Sequence, residues 1–495
     1  LSDNYANELP KTATKQAFPS VFPKMSLMPV AVVKNLPGGV WARARDSAVF
    51  YGSMGTILRA GANLLLLPLV LNVLRPPELA LWYVFLALGA LANLAEFGFG
   101  PAMSRVYSFL FAGAEDFATE GLGPPPQSRT PNLAGIARFH TAVRTVYSRI
   151  AGAAMLLLAT LGTWCLLRPI TGVSNPFLAW ISWGGFILAV GFSLSTNHWM
   201  LACQGINRVR ELQQAYLVSG VAYVIGAALL LVSGFGLMAM VIATGIRAVI
   251  VRELCRRAYL RAMPERADKR AVDVAGITSR IWPNARKFGI ISLGAFLTAQ
   301  ANVLICSQLL GNEITASYAV TSQVGNFLVT FSALWLGVKW PEITILRTQG
   351  RVEEMAVLFA RRLALVMATF GILAVVLLAF GNRVLDWKGT QTRFLPGAYL
   401  AVYLFYLFQQ QFYVQFGSLV YTENEVPFYK LSVFSGIAVT AASIVLARFF
   451  GLWGLILAPL IVTVVSCAWY VPLRAFRGQS LNVRQFARAA VLGHL

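Results

Sequence analysis

One arginine stands within residues 55–74, "GTILRAGANLLLLPLVLNVL", a stretch otherwise built from glycine, aliphatic and small polar residues. A guanidinium grips a phosphate through two parallel hydrogen bonds, which makes Arg59 a candidate anion contact. Gly52, Thr56, Arg59 and Asn63 recur at helical spacing and form one polar stripe. Two further stripes follow the same period: Thr315, Tyr318, Ser322, Asn326 and Thr330, then Tyr399, Tyr403, Tyr406, Gln410 and Tyr413. Hydroxyls and amides bond sugar hydroxyls and tyrosine rings stack on sugar faces, so Ser322, Asn326, Tyr403, Tyr406 and Gln410 read as glycan contacts. Helix–helix packing with polar side chains as glue is the alternative that the spacing leaves open.

Two residues are candidates for ion coupling. His198, in "STNHW" (195–199), titrates near neutral pH in its ordinary state, with a hydrogen-bonded packing histidine as its alternative. Glu96 is the other, with a structural pair to Arg59 or Arg105 as its alternative. Arg105 and Lys339 follow the second and eighth apolar runs and are expected at the cytoplasmic mouth.

These residues need a membrane-spanning helical frame to position them. The 495-residue chain is 57% hydrophobic and 12% charged, with a mean hydropathy of +0.64. That charged fraction is about half of the ~25% usual in soluble domains. Apolar runs long enough for a hydrocarbon core about 30 Å thick recur along it. They place spans near 48–74, 79–100, 149–167, 176–202, 213–233, 236–253, 287–311, 314–338, 363–382, 394–421, 427–447 and 451–473.

With the N-terminus inside, 34 of the 41 lysines and arginines fall on the cytoplasmic side when the run from Arg247 to Lys287 and the basic residues at span ends are counted with the segments they adjoin. That bias supports twelve spans and two cytoplasmic termini. The same rule accounts for the net charge of +21 without a nucleic-acid partner. The largest charge run, Arg247 to Lys287, reads as a cytoplasmic connector facing lipid headgroups. Residues 1–47 read as a cytoplasmic tail rather than a signal peptide, 48–256 as a first bundle, 257–286 as a basic linker, 287–473 as a second bundle and 474–495 as a basic tail. The five cysteines have no metal-ligand or disulfide spacing, so no metal and no cofactor is expected. No HExxH, GxSxG or phosphate-loop pattern stands in a plausible context, and the expected outer loops are short, which argues against an enzyme.

The chain also repeats itself. "AGAN" (60–63) is answered by "AQAN" (299–302), "PELALWY" (77–83) by "NEITASY" (312–318), and "GFGPAMSR" (98–105) by "GVKWPEIT" (337–344). Six spans per copy is an even number, so both copies enter the membrane in the same sense, as in transporters built from parallel repeats. The predicted fold is an all-α polytopic membrane protein of twelve helices in two six-helix bundles, related by a pseudo-two-fold along the membrane normal.

This layout, with "EFGFGPAMSR" (96–105) and "VKWPEI" (338–343), resembles the multidrug, oligosaccharidyl-lipid and polysaccharide exporter superfamily. Within it, the basic central linker and those two stretches resemble the polysaccharide-transporter branch, the Wzx-type flippases of O-antigen and exopolysaccharide assembly. That resemblance implies an alternating-access flippase in the bacterial inner membrane, with a lipid-diphosphate-linked oligosaccharide as substrate. It also implies membrane lipids, a polysaccharide polymerase and other assembly proteins as partners. A cation-coupled multidrug exporter and a peptidoglycan-precursor flippase of the same superfamily are the alternatives.

Overall fold

The computed structural model describes residues 48–116, 130–263, 273–422 and 427–478, with the side chains of 48–60, 284, 341 and 348 left out of that description. The tails 1–47 and 479–495 lie outside it. Among the described residues there is helix and no strand.

Twelve helical spans follow one another, several made of two helices. α1 is Ala48–Val73. α2, Pro76–Asn93, passes through a 3-10 turn at Leu94–Glu96 and then into α3, Phe99–Phe111. α4, Leu133–Leu157, runs on through a π-helical turn at Leu158–Gly162 to Leu166. α5, α6 and α7 are Pro176–Gly205, Val209–Val232 and Leu237–Ala262. The second series starts with α8, Val274–Ala299, and α9, Ala301–Leu309. It continues with α10, Asn312–Gly337, α11, Trp340–Thr348, and α12, Val352–Trp387. α13, Gly397–Tyr421, α14, Tyr429–Phe450, α15, Leu452–Ser466, and α16, Tyr470–Gly478, complete it.

Local chemistry sets where these helices begin. Asn132, Asn175 and Asp273 each turn a side-chain oxygen onto the backbone N–H three residues on, at 2.8–3.0 Å, and so satisfy an otherwise orphaned donor. Proline opens α2 and α5, where its missing N–H costs nothing. Between the caps the residues are apolar on most faces, as helices with both protein and lipid neighbours must be. Nine spans among the described residues are long and apolar enough to cross a bilayer. α7 and α13, which carry Arg247 and the tyrosine–glutamine series, are not in that set.

The two series pack alike. In each, the first helix lies on the fifth, the fifth on the sixth, the fourth on the sixth and the third on the fourth. The entrance to the sixth helix is also the same. Gly236 (φ 53°, ψ −130°) precedes α7, and Gly451 (φ 57°, ψ −132°) precedes α15. Side-chain-bearing residues rarely adopt that backbone. The fold is therefore the expected one: twelve helices in two six-helix bundles of like sense, related by a pseudo-two-fold along the membrane normal. Because no atom lies within 4 Å of a Cβ at either glycine, the backbone term acts alone. Gly236→Ala and Gly451→Ala should each cost about 1–3 kcal/mol, read as matching drops in thermal midpoint.

One end of the molecule carries the tight turns at 74–75, 233–236, 310–311 and 451, and the other carries most of the arginines. At the tight-turn end the halves are tied by backbone acceptors. Gln308 Nε2 donates to the Cys165 carbonyl at 2.5 Å, and Asn312 Nδ2 to the Pro169 carbonyl at 2.9 Å. Deeper in, α2 packs on α10 and the Tyr83 hydroxyl donates to Gln323. At the basic end, the start of α8 packs against α3 and α4. There Phe97 stacks on Trp282, 5.7 Å between ring centres, and Arg280 grips Asp116 through two bonds of 3.0 and 3.1 Å. Of the expected linker 257–286, residues 257–262 continue α7 and 274–286 begin α8.

Candidate functional site

Two adjoining cavities lie between the helices, with Leu86 of α2 on the wall of both. The first, about 600 Å³, sits inside the first bundle among α2, α5, α6 and α7. Its polar lining is Asn93, Glu96, Ser193, Thr196, Asn197, Tyr216, Thr244 and Arg247. The second, about 370 Å³, lies between the bundles and is lined by Asn63, Tyr83, Gln300, Ser322, Gln323, Asn326 and Thr330.

The depth of Arg247 distinguishes the first cavity. It is ten residues into α7, so at about 1.5 Å per residue it stands about 15 Å from the tight-turn end, mid-way through a core about 30 Å thick. Its guanidinium lies over the Tyr223 ring, 5.8 Å from the centroid. Tyr223 in turn donates its hydroxyl to Asn63 Oδ1 at 2.9 Å. Asn63 faces the second cavity, so one tyrosine connects the polar lining of both.

Glu96 meets the first cavity close to the basic end. Its carboxylate accepts from the Tyr147 hydroxyl and from the Gly100 backbone at the start of α3, where a negative group complements the helix dipole. Among the described residues its partners are thus a tyrosine and a helix N-terminus. Gly100 is what lets them meet, since a Cβ there would overlap Glu96 Oε1.

Apart from Glu96 and His198, the residues singled out from sequence divide into five groups. Asn63, Ser322 and Asn326 come together on the second cavity. Gln410 lines a third cavity, about 250 Å³, inside the second bundle. Tyr403 and Tyr406 are buried in helix contacts, with Tyr403 edge-on to Tyr318 at 5.8 Å. Arg105 is exposed on α3, and Lys339 donates to Glu342 Oε2 at 2.6 Å. The side chains of Thr56 and Arg59 lie outside the described residues; their backbone belongs to α1.

His198 points into a buried aromatic cluster. Its Nδ1 donates to the Ser195 carbonyl at 2.9 Å, and its ring lies 5.1 Å from His140 and 4.8 Å from Trp199. His140, which the sequence did not single out, shares a hydrogen bond of 2.8 Å between its Nδ1 and the Tyr107 hydroxyl and stacks on Tyr259. Among the described residues no group of three metal-ligating side chains gathers.

Arg247 is the residue that the sequence reading passed over. It stands first in the run Arg247–Lys287, whose charges read together as a cytoplasmic connector. The signal was present: four apolar residues, "AVIV", separate it from Arg252, and Thr244, Arg247 and Val251 share one helix face.

No family model and no curated protein matches the sequence. Solved structures do. A multidrug resistance MATE family transporter of the MOP superfamily, inward-facing, superposes with a TM-score of 0.64 at 12% identity, covering 88% of this chain and 98% of that one. The lipid II flippase MurJ in an inward closed conformation gives 0.60 at 11% identity, covering 90% of each chain. The MATE multidrug transporter DinF-BH gives 0.59 at 14% identity, covering 91% of this chain and 99% of that one. The chain has the fold of these transporters. Identities this low carry the fold and leave the cargo to be argued from the cavities.

Proposed function

We propose that the protein is a flippase that moves a lipid-diphosphate-linked oligosaccharide or polysaccharide repeat unit from the cytoplasmic to the outer leaflet of a bacterial inner membrane. The observation that carries this reading is Arg247, a cation at mid-membrane depth on the wall of an amide- and hydroxyl-lined cavity. Placing an arginine there costs about 2.5–3.5 kcal/mol on insertion scales if it faces lipid, so such residues face a cavity or a partner and mark substrate paths. The diphosphate sits at Arg247, and the sugars extend along the Asn63–Ser322–Asn326 wall of the adjoining cavity. Arg59, one helical turn before Asn63, is proposed as a second cationic contact. The basic end faces the cytoplasm, with Arg105 and Lys339 at its mouth.

A second reading, a cation-coupled multidrug exporter, draws on Glu96, whose carboxylate lines the same cavity as Arg247. In the flippase reading Glu96 and His198 serve the return of the empty carrier. The two readings differ in their driving force. A diphosphate carries about two negative charges, so with the interior negative its outward passage is downhill by about 4–5 kcal/mol per 100 mV if it crosses the whole field. Flipping in proteoliposomes should therefore accelerate when the cytoplasmic face is made negative, without a pH gradient. Flipping that follows a proton or sodium gradient and ignores potential would favour the exporter-like coupling.

A further inference from the structure

The second cavity carries four carboxamides on its wall: Asn63 of α1, Gln300 at the α8–α9 junction, and Gln323 and Asn326 of α10. Among the described residues no charged group lines it. Two of the four are held by tyrosines in the same way. The Tyr223 hydroxyl donates to Asn63 Oδ1 at 2.9 Å, and the Tyr83 hydroxyl donates to Gln323 Oε1. A carboxamide with its oxygen engaged is fixed in orientation and has its NH2 group left to offer. Among the described residues neither nitrogen has an acceptor, and Gln323 Nε2 is shielded from water as well.

Asn326 is set the other way round. Its Nδ2 donates to Ser322 Oγ at 3.3 Å, which leaves its Oδ1 as an acceptor. The wall therefore has polarity: donors at Asn63 and Gln323, an acceptor at Asn326. A sugar hydroxyl both donates and accepts, so it gains nothing from amides held in one orientation. An acylamino group is polarised in the same sense as the wall, because its carbonyl oxygen only accepts and its N–H only donates. A carboxylate would meet the donors, but it has no proton for Asn326 Oδ1.

We propose that this cavity selects an N-acylated amino sugar in the transported glycan, with Asn63 and Gln323 donating to its acyl oxygen and Asn326 accepting from its N–H. The inference rests on the reading of the substrate as a lipid-diphosphate-linked oligosaccharide. Tyr223 and Tyr83 are positioning residues, since each acts through the amide it holds. Tyr83 belongs to the first bundle and Gln323 to the second, so parting of the bundles uncovers the shielded nitrogen. At about 370 Å³ the cavity falls within the ~300–1,000 Å³ of small-molecule sites, with room for a pyranose ring and its substituents.

The test measures binding to the full chain of three undecaprenyl diphosphates, alike except that they carry N-acetylglucosamine, glucose or glucuronic acid. The N-acetyl form should bind at least about tenfold tighter than the glucose form, the worth of a hydrogen bond to a buried group otherwise left unpaired. Asn63→Asp and, independently, Gln323→Glu keep an oxygen for the tyrosine and replace the NH2 group. Each should bring the ratio below about threefold at an unchanged thermal midpoint. The ratio cancels any effect of the new charge on the diphosphate that the probes share. Tyr223→Phe, which frees the Asn63 amide to turn, should lower the ratio part-way. Equal binding of the N-acetyl and glucose forms, both lost in Arg247→Ala, overturns the sugar selection and leaves the diphosphate reading intact. Tighter binding of the glucuronic acid form makes the wall a carboxylate site and also overturns it, as does a ratio that both substitutions leave unmoved. Absence of any Arg247-dependent binding of the three probes overturns both readings.

Discussion

Arg247→Ala is expected to lower flipping of an anionic lipid-linked glycan by about 10- to 100-fold at equal membrane abundance. A hydrogen bond to a charged group contributes about 1.5–3 kcal/mol, and each 1.36 kcal/mol lost in the transition state is about a factor of ten. Arg247 lines the first cavity at mid-depth, and its guanidinium is seated over the Tyr223 ring. On the proposed reading, removing it leaves the headgroup diphosphate without its cation in that cavity. Arg247→Lys keeps the charge and loses the planar fork, so it should restore part of the rate. Flux from the alanine variant equal to that of the parent protein would remove Arg247 from the substrate path. Arg59→Ala, tested alongside, measures how much of the cationic lining that residue supplies.

The second large effect is on the fold. Gly98→Ala should destabilise the protein by about 2–5 kcal/mol, as the sum of left-handed backbone cost and overpacking. Gly98 has φ 77° and follows Phe97 at φ 38°, so the second span breaks here into α3. A Cβ at 98 would overlap the Ala285 carbonyl oxygen and stand 2.7 Å from both the Gly289 nitrogen and the Phe288 Cβ. The backbone of α8 therefore rests directly on this glycine. On a membrane protein the effect is read as loss of monodisperse material and a lower thermal midpoint in detergent. Gly152→Ala is the matched control. It lies in α4 with no atom within 4 Å of a Cβ, and alanine favours helix by about 1 kcal/mol. Equal behaviour of the two variants would contradict the docking described here.

The frame was legible because the membrane makes it so. Apolar runs, proline breaks and the arginine bias mark twelve spans, and each of the twelve overlaps a helix or a run of consecutive helices. Several of these begin well outside the apolar stretch, as at Leu133, Val274 and Val352. The repeat was also legible, since "AGAN" and "AQAN" fall on α1 and on the α8–α9 junction. The orientation of faces was harder to read. A helix that is apolar all round gives no periodic signal for which side meets a cavity, and polar stripes serve packing as well as binding. The stripe on α10 lines a cavity through Ser322 and Asn326, whereas that on α13 is mixed, with Tyr403 and Tyr406 in packing and Gln410 on a cavity. "EFGFGPAMSR" was recognisable as a motif, but its work depends on a partner 187 residues away, Ala285 against Gly98, which no local pattern encodes.

The most direct test offers one protein two cargoes. The full chain in proteoliposomes is given a fluorescent undecaprenyl-diphosphate disaccharide and, separately, a cationic rhodamine dye. Movement is read by quencher access to the lipid and by dye accumulation. Arg247 on the wall of an amide- and hydroxyl-lined cavity predicts that the anionic lipid crosses faster than in protein-free vesicles and that the Arg247→Ala protein loses this gain, while the dye does not move. Dye transport without lipid flipping, unaffected by Arg247→Ala, would contradict the account and leave the exporter reading in its place.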